Sequence, residues 1–306
     1  MQRLTPGTGM TEAFRDAVVA LGNFDGFHLG HQAVVGRAVA RAAHAGRPAI
    51  VATFDPHPVR FFQPDAAPFR LTSLDQREAL FAGAGADAML VFGFDDRLAT
   101  TSAEDFVRLL REDVGASAVV TGEDFTFGAR RGGNVEVLRA VGEGMGLSAE
   151  TVGPVTIDGQ PVSSSRIRRA IAEGDTATAT RLLTRPFAIQ GVVQHGDKRG
   201  RTMGYPTANM VLGDYQRPAY GIYAVTARLP DGTEVAGVAN AGVRPTFEPP
   251  VELLETFLFD WSGDLYGQEI EVALHHFLRP ERRFESMDAL TVQMQRDEAE
   301  ARRLLL

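Results

Sequence analysis

The chain has 306 residues, 44% hydrophobic and 23% charged, with a formal net charge of −8. That length holds one large domain or two medium ones, the acidic balance argues against general nucleic-acid affinity, and no run of about 18 apolar residues marks a membrane helix. Cysteine is absent and every one of the 31 cationic residues is Arg except Lys198, which excludes disulfides, thiolate metal sites, Cys nucleophiles and, since Arg199 follows Lys198, a Walker A loop. In chain order, residues 17–21 read as a buried strand. Residues 32–45 read as a helix, with Val34, Val35, Ala38, Val39 and Ala42 on one face and Gly46 at its end. Residues 49–54 form a second predicted strand, stopped by Asp55-Pro56-His57-Pro58. Ser73 opens a helix with Gln76 in capping-box position. Strands over 88–92 and 118–121 follow, with a helix beginning near Ser102 between them. This β-α-β-α order predicts a parallel sheet with helices on both faces.

After Thr184-Arg185-Pro186 the texture changes. Residues 189–194, 221–228 and 233–239 are β-type runs, and Pro230-Asp231-Gly232 is a hairpin signal between the last two. Runs over 256–261 and 269–275 follow, separated by Ser262-Gly263-Asp264, and 287–305 reads as a closing helix. Short strands joined by turns predict a small antiparallel β-barrel. The boundary falls near residue 186, giving domains 1–186 and 187–306 with net charges of −3 and −5, so neither is a basic module. The opening MQRLTPGTGM has no apolar core of signal-peptide type, which with the absence of Cys predicts a cytoplasmic location.

The first predicted strand runs into Gly22-Asn23-Phe24-Asp25-Gly26-Phe27-His28-Leu29-Gly30-His31 and then into a helix. Ligands of open parallel sheets bind beyond the carboxyl ends of the strands. Glycines admit a ligand close to the backbone, and a helix start offers unpaired N–H groups to an anion. His28 and His31 both sit at that start and can donate to one polyphosphate. A His-x-x-His pair also suits a metal, although no third ligand is near in sequence, and the glycines alone suit a plain turn. Further on, Ser163-Ser164-Ser165 opens a helix as either an N-cap or a phosphate contact, and Arg168 one turn later favours phosphate through bidentate pairing.

The 22–31 segment resembles the HxGH signature of the nucleotidyltransferase superfamily, and more narrowly the adenylyltransferase module of prokaryotic bifunctional FAD synthetases. Phe54-Asp55-Pro56-His57-Pro58, Gly122-Glu123-Asp124-Phe125-Thr126-Phe127-Gly128 and Val162-Ser163-Ser164-Ser165-Arg166-Ile167-Arg168 occur as in that family, with Ser165 where Thr is usual. The resemblance implies adenylyl transfer from ATP to FMN, giving FAD and pyrophosphate. His28, His31 and Arg168 then neutralise phosphates. Gly22, Asn23, Phe24, Gly26 and Ser164 belong to the nucleotide pocket. Asp124 contacts the flavin or the metal, or is an ordinary solvent-facing Asp.

The second half holds the densest word, 191–209, with Gly196, Gly200 and Gly204 in a loop able to wrap phosphates. Thr207 and Asn209 lie two apart, so an extended segment puts both oxygens on one face, able to share a hard cation such as Mg²⁺. Pro206-Thr207-Ala208-Asn209 resembles the PTAN motif of riboflavin kinases. Tyr220-Gly221-Ile222-Tyr223, 240–246, Glu255-Thr256 and Asp264-Leu265-Tyr266-Gly267 follow in that family's order. Riboflavin kinases phosphorylate the ribityl hydroxyl with ATP, which calls for a base. Glu255 matches the family's catalytic glutamate, although by itself it reads as an exposed strand carboxylate. By the same resemblance Lys198 joins the nucleotide loop, and Arg244 and Tyr266 contact flavin. Phe257 stands where the family commonly has His. Together the resemblances imply an N-terminal Rossmann-like nucleotidyltransferase domain and a C-terminal kinase barrel, with riboflavin, FMN and ATP as small-molecule partners, Mg²⁺ as cofactor, and no nucleic acid or membrane. The alternative is a flavin-binding or regulatory protein in which one site is silent.

Overall fold

The computed structural model describes residues 1–7, 10–195, 205–244 and 251–306. Packing divides them into two compact units: Met1–Ala67 with Leu74–Ser163, and Pro68–Ser73 with Ser164–Leu306. Residue 186, where the sequence places the domain boundary, lies within the second of these units.

The first unit runs β1 (Gln2–Leu4), β2 (Val18–Leu21), α1 (Leu29–Ala45), β3 (Ala49–Asp55), α2 (Pro58–Phe62), α3 (Leu74–Gly83) and β4 (Ala88–Gly93). It continues with α4 (Asp96–Thr100), α5 (Ala103–Glu112), β5 (Ala118–Gly122), α6 (Val135–Glu143) and β6 (Ser148–Val152), then a ribbon of β7 (Thr156–Ile157) and β8 (Gln160–Pro161). The sheet order is β1-β4-β3-β2-β5-β6, parallel throughout, as the alternation of strands and helices predicts. Side chains alternate across β2. Val19 and Leu21 pack with Phe106, Leu110 and Leu138 from α5 and α6. Val18 and Ala20 pack with Val34, Val35 and Ala38 of α1 and Phe81 of α3. A strand covered on both faces must be apolar throughout, which is the run seen in the sequence. Each large side chain so buried contributes roughly 1.5–3 kcal/mol.

Four strands escape the sequence reading, the two-residue β7 and β8 of the ribbon and the sheet strands β1 and β6. β1 is three residues long, and β6 reads Ser-Ala-Glu-Thr-Val, too polar for a core strand; both lie at sheet edges, where one neighbour supplies the pairing. Helix α1 begins three residues earlier than its apolar period, because His28 caps it by accepting from the His31 N–H.

The second unit runs α7 (Ser164–Ala172), α8 (Thr176–Leu183), β9 (Phe187–Val192), β10 (Thr207–Val211), β11 (Gly221–Arg228), β12 (Glu234–Arg244), β13 (Val251–Leu258), β14 (Glu269–Pro280) and α9 (Met287–Leu305). The strands form a curled antiparallel half-barrel in the order β10-β13-β12-β11-β14-β9. Its edges meet at one bridge, where Gln194 N–H donates to the Asn209 carbonyl at 2.8 Å. Ala239 and Ala241 on β12 and Leu254, Thr256 and Leu258 on β13 are buried at alternate positions, while Ala208, Asn209 and Met210 on β10 are all buried. Strand β13 covers 251–258 rather than the expected 256–261, since Asp260 turns the chain with a left-handed φ of 53°. Helix α9 has the bounds its periodicity predicts and is capped by Ser286, whose Oγ accepts from Ala289 N–H at 3.1 Å. It is pinned to β14 by a buried Arg279–Asp297 ion pair.

Candidate active sites

In the first unit, the loops after β2, β3 and β5 leave adjacent parallel strands on the same edge. The β2 loop is tightly wound. Phe24 and Phe27 hold left-handed φ values of 48° and 44°, and Gly26 between them sits at 88°, a conformation a side chain would resist. The loop delivers His28, buried at 5% exposure, onto the N-terminus of α1. The imidazoles of His28 and His31 stack with centroids 3.6 Å apart. Gly30 makes that stack possible: a Cβ there would lie 3.2 Å from the His28 ring. Two imidazoles and the first N–H groups of a 17-residue helix thus face one spot, an arrangement suited to phosphate. Phe24 is buried and packs edge-on against His31, so it holds the imidazole from behind.

The same loop contributes Asn23 to a cavity of about 480 Å³, whose wall includes neither His28 nor His31. All three loops contribute to its wall: Asn23 after β2, His57 after β3, and Phe125, Thr126, Phe127 and Gly128 after β5. Asn23 Oδ1 is buried and has no hydrogen-bond partner among the described residues. The rest of the wall is largely apolar, with Phe54, Phe62, Phe94 and Phe106 among its residues, and it suits a flat conjugated ring. Asp124 is exposed and is not part of that wall. The phenylalanines were not anticipated as site residues. Arg130 and Arg131, which also line the cavity, were missed as well; their consecutive left-handed φ values of 54° and 57° mark a constrained turn. Ser164 and Arg168 belong to the second unit. Ser164 opens α7, and Arg168 donates to the Phe69 carbonyl at 2.8 Å with its guanidinium 5.1 Å from the Phe69 ring.

In the second unit, register sets the site. Asn209 on β10 pairs with Glu255 on β13, which pairs with Asn240 on β12, so the three side chains form one row on one sheet face. Arg244, at the end of β12, forms an ion pair with Glu255 through Oε1; both side chains are about one-fifth exposed, at 21% each. Asn209 is 4% exposed, its Nδ2 donates to the Thr207 carbonyl at 3.1 Å, and its Oδ1 is left without a partner among the described residues. A buried amide oxygen of this kind fits a hard cation. Among the described residues no group of three His, Asp or Glu could hold a metal. An ion here would therefore take one or two protein oxygens and complete its shell with substrate phosphates, the habit of Mg²⁺. Gly196, Lys198, Gly200 and Gly204, with Pro245 and Thr246, lie outside the described residues.

A second cavity of about 300 Å³ adjoins Thr207. Tyr266 lines it, with its ring 3.8 Å from that of His195. Tyr266 and Arg244, both expected near flavin, thus occupy different surroundings. Phe257 packs edge-on against Tyr205 with centroids 4.8 Å apart. Glu252 anchors the chain before β11: Arg217 Nε donates to it at 2.7 Å and the Tyr220 hydroxyl also donates to it. Arg217 holds the Glu252 carboxyl below its ordinary range, while burial and the Glu252 contact push the Tyr220 phenol up to about 12.

A parallel α/β sheet with a His-Leu-Gly-His helix start, followed by a half-barrel carrying a Thr-Ala-Asn strand beside a carboxylate, defines a two-module nucleotide-dependent transferase. The FAD synthetase family profile matches residues 10–166, and the riboflavin kinase profile matches 183–305. The bifunctional riboflavin kinase/FMN adenylyltransferase of Pseudomonas fluorescens is 42% identical over 95% of this chain and 93% of its own length. The enzyme of the same description from Escherichia coli K12 is 39% identical over 93% and 91%. A crystal structure from Streptococcus pneumoniae, described as a macrolide-efflux protein, superposes with a TM-score of 0.88 at 30% identity over 99% of both chains. No described helix of the present chain is long and apolar enough to cross a membrane. The chain belongs to the bifunctional riboflavin kinase/FMN adenylyltransferase family.

Proposed function

We propose that residues 187–306 phosphorylate riboflavin to FMN and residues 1–186 adenylylate FMN to FAD, each with ATP, so that the product of one module feeds the other. The observation that carries this is the row Asn209–Glu255 on neighbouring strands, a partnerless amide oxygen beside a carboxylate, in a chain whose other unit presents stacked histidines at a helix start.

In the kinase module Glu255 accepts the proton of the ribityl 5′-hydroxyl as that oxygen attacks the γ-phosphorus of ATP and ADP leaves. Arg244 grips Oε1 and fixes the carboxylate, which leaves Oε2 to take the proton. Asn209 and Thr207 would hold Mg²⁺, which when bound supplies positive charge to the transferring phosphoryl group. In the transferase module the nucleophile is an FMN phosphate oxygen, already ionised at neutral pH, so no base is needed. It attacks the α-phosphorus, the bond to the β-phosphate breaks, and pyrophosphate leaves. His28 and His31 donate to phosphate oxygens as charge builds on them, and the aromatic cavity beside Asn23 holds the isoalloxazine. The use of ATP and the cysteine-free composition support a cytoplasmic location.

The test is to incubate the pure protein with riboflavin, ATP and Mg²⁺ and separate the flavins. FMN and FAD both form. Asn209→Ala stops FMN formation and spares conversion of supplied FMN to FAD, while His28→Ala does the reverse. Loss of both activities in either folded variant overturns the division of labour, and no FMN or FAD from the wild type overturns the function.

A further inference from the structure

Helix α3 carries a charged side chain in the interior of the first unit that the transferase chemistry above leaves unused. Arg77 is 1% exposed, and a guanidinium so buried is costly unless its donors are directed. Leucine or methionine would fill an inward-facing helix position without that cost. Arg77 Nη1 donates to Thr53 Oγ1 at 3.1 Å and to the Asn23 carbonyl at 3.4 Å. The hydroxyl of Thr53, buried on β3, donates in turn to the same carbonyl at 2.8 Å. The guanidinium thus polarises the hydroxyl that holds the carbonyl. Valine shares the shape of threonine and suits a strand equally, but it can do none of this.

What the two side chains hold is the peptide between Asn23 and Phe24. A peptide is planar, so an anchored carbonyl fixes the chain on both sides of it. On one side, Asn23 belongs to the wall of the 480 Å³ cavity. On the other, Phe24 takes its left-handed φ of 48° and packs edge-on against His31, with centroids 5.3 Å apart. A left-handed φ at a bulky residue is strained and persists where the surroundings hold it. Phe81, one turn beyond Arg77 on α3, packs against Phe24 and Phe27. Apolar packing is non-directional, whereas hydrogen bonds to a carbonyl orient it. The polar pair therefore adds what Phe81 does not supply, the orientation of the peptide plane.

We propose that Arg77, acting through Thr53 and the Asn23 carbonyl, is a positioning residue of adenylyl transfer. It sets the one peptide plane that joins Asn23 in the cavity wall to Phe24 behind His31, and so keeps the flavin side of the site aligned with the histidines. The inference rests on the transferase reading of the first unit. In-line attack on the α-phosphorus needs both substrates aligned, and a misplacement of about 1 Å costs up to about 100-fold in rate.

The full-length protein and its Arg77→Met, Thr53→Val, Arg77→Met/Thr53→Val and Thr53→Ser variants test it. The kcat of FAD formation and the KM values for ATP and FMN are measured well below each melting temperature, with FMN formation from riboflavin by the same chain as the internal control. Arg77→Met and Thr53→Val each lower kcat about 30-fold and leave both KM values within about threefold of wild type. The double variant is at most about threefold slower than the slower single one, because both side chains act on one carbonyl. Serine, which keeps the hydroxyl, restores kcat to within about threefold, and FMN formation stays near wild type throughout. A wild-type kcat in Thr53→Val overturns the inference, and this arm stands even where Arg77→Met fails to fold. A lowered melting temperature with kcat unchanged overturns it too, since the role would then be packing. So do losses that multiply in the double variant and an equal fall in FMN formation. The two readings fail separately. A His28→Ala protein that still converts FMN to FAD removes the transferase assignment and this inference with it. An inactive His28→Ala beside an indifferent Thr53→Val removes the inference alone.

Discussion

Among the ion pairs that hold helix α9 to the barrel, Arg279–Asp297 is the more buried, and its loss has a calculable cost. Arg279 Nε donates to both oxygens of Asp297, at 2.9 and 3.1 Å, and a second guanidinium nitrogen donates at 2.6 Å. Gln293 adds a fourth bond at 2.8 Å. The side chains are 17% and 7% exposed, so Asp297→Ala leaves a mostly buried guanidinium without its carboxylate. Removing one partner of a buried pair costs about 3–5 kcal/mol. The lower end applies, because Arg279 keeps its bond to the Pro280 carbonyl at 3.1 Å and its place 5.7 Å from the Phe284 ring. About 3 kcal/mol in a unit of this size lowers the melting temperature by roughly 6–12 °C. Arg279→Met with Asp297→Leu removes both charges together and is expected within about 1 kcal/mol of wild type. Differential scanning of the three proteins reads this directly. Because α9 packs Ala301 against Phe259 of the barrel, FMN formation is expected to fail on warming earlier in Asp297→Ala, while FAD formation from supplied FMN persists. A shift of less than about 2 °C for Asp297→Ala would place the pair among ordinary surface bridges and refute the reasoning.

Glu252 has a depressed pKa in the fold, chiefly through its bond from Arg217, so its ionised form stabilises the fold above the unfolded carboxylate value and that contribution is lost as pH falls through the folded one. Glu252→Gln should therefore lower the melting temperature most near pH 7 and converge on wild type only once the pH falls below the lowered folded value, as melts from neutral into acid will show. Phe257→His is expected to keep kcat of FMN formation within about threefold and to act mainly on the KM for riboflavin, since the base Glu255 is untouched and Phe257 contributes packing against Tyr205; steady-state kinetics decide. His28→Asn, which retains the cap, should melt near wild type yet lose FAD formation, whereas His28→Ala should also lose about 1 kcal/mol of helix capping.

What the sequence reveals here depends on how local the cause is. Strands β2 to β5 and helix α9 are legible because burial on both faces or on one stripe writes an apolar pattern into consecutive residues. The histidine start and the Thr-Ala-Asn strand are legible because their chemistry sits within ten residues of chain. The aromatic cavity is not: Phe54 on β3, Phe94 and Phe106 between β4 and β5, and Phe127 after β5 are far apart in the chain and, read singly, look like core. The Arg244–Glu255 pair is hidden for a related reason, since only the β12–β13 register brings residues eleven apart into contact. His28 shows why the boundary of α1 was misread. Hydrophobic period locates a helix by the face it buries, but this helix begins where a polar side chain satisfies a backbone donor. The residue that sets the boundary is also the one proposed to meet phosphate. An anion at a helix start needs the same unsatisfied donors that a cap does, so here the end of the fold's regular structure and the start of its chemistry are one feature.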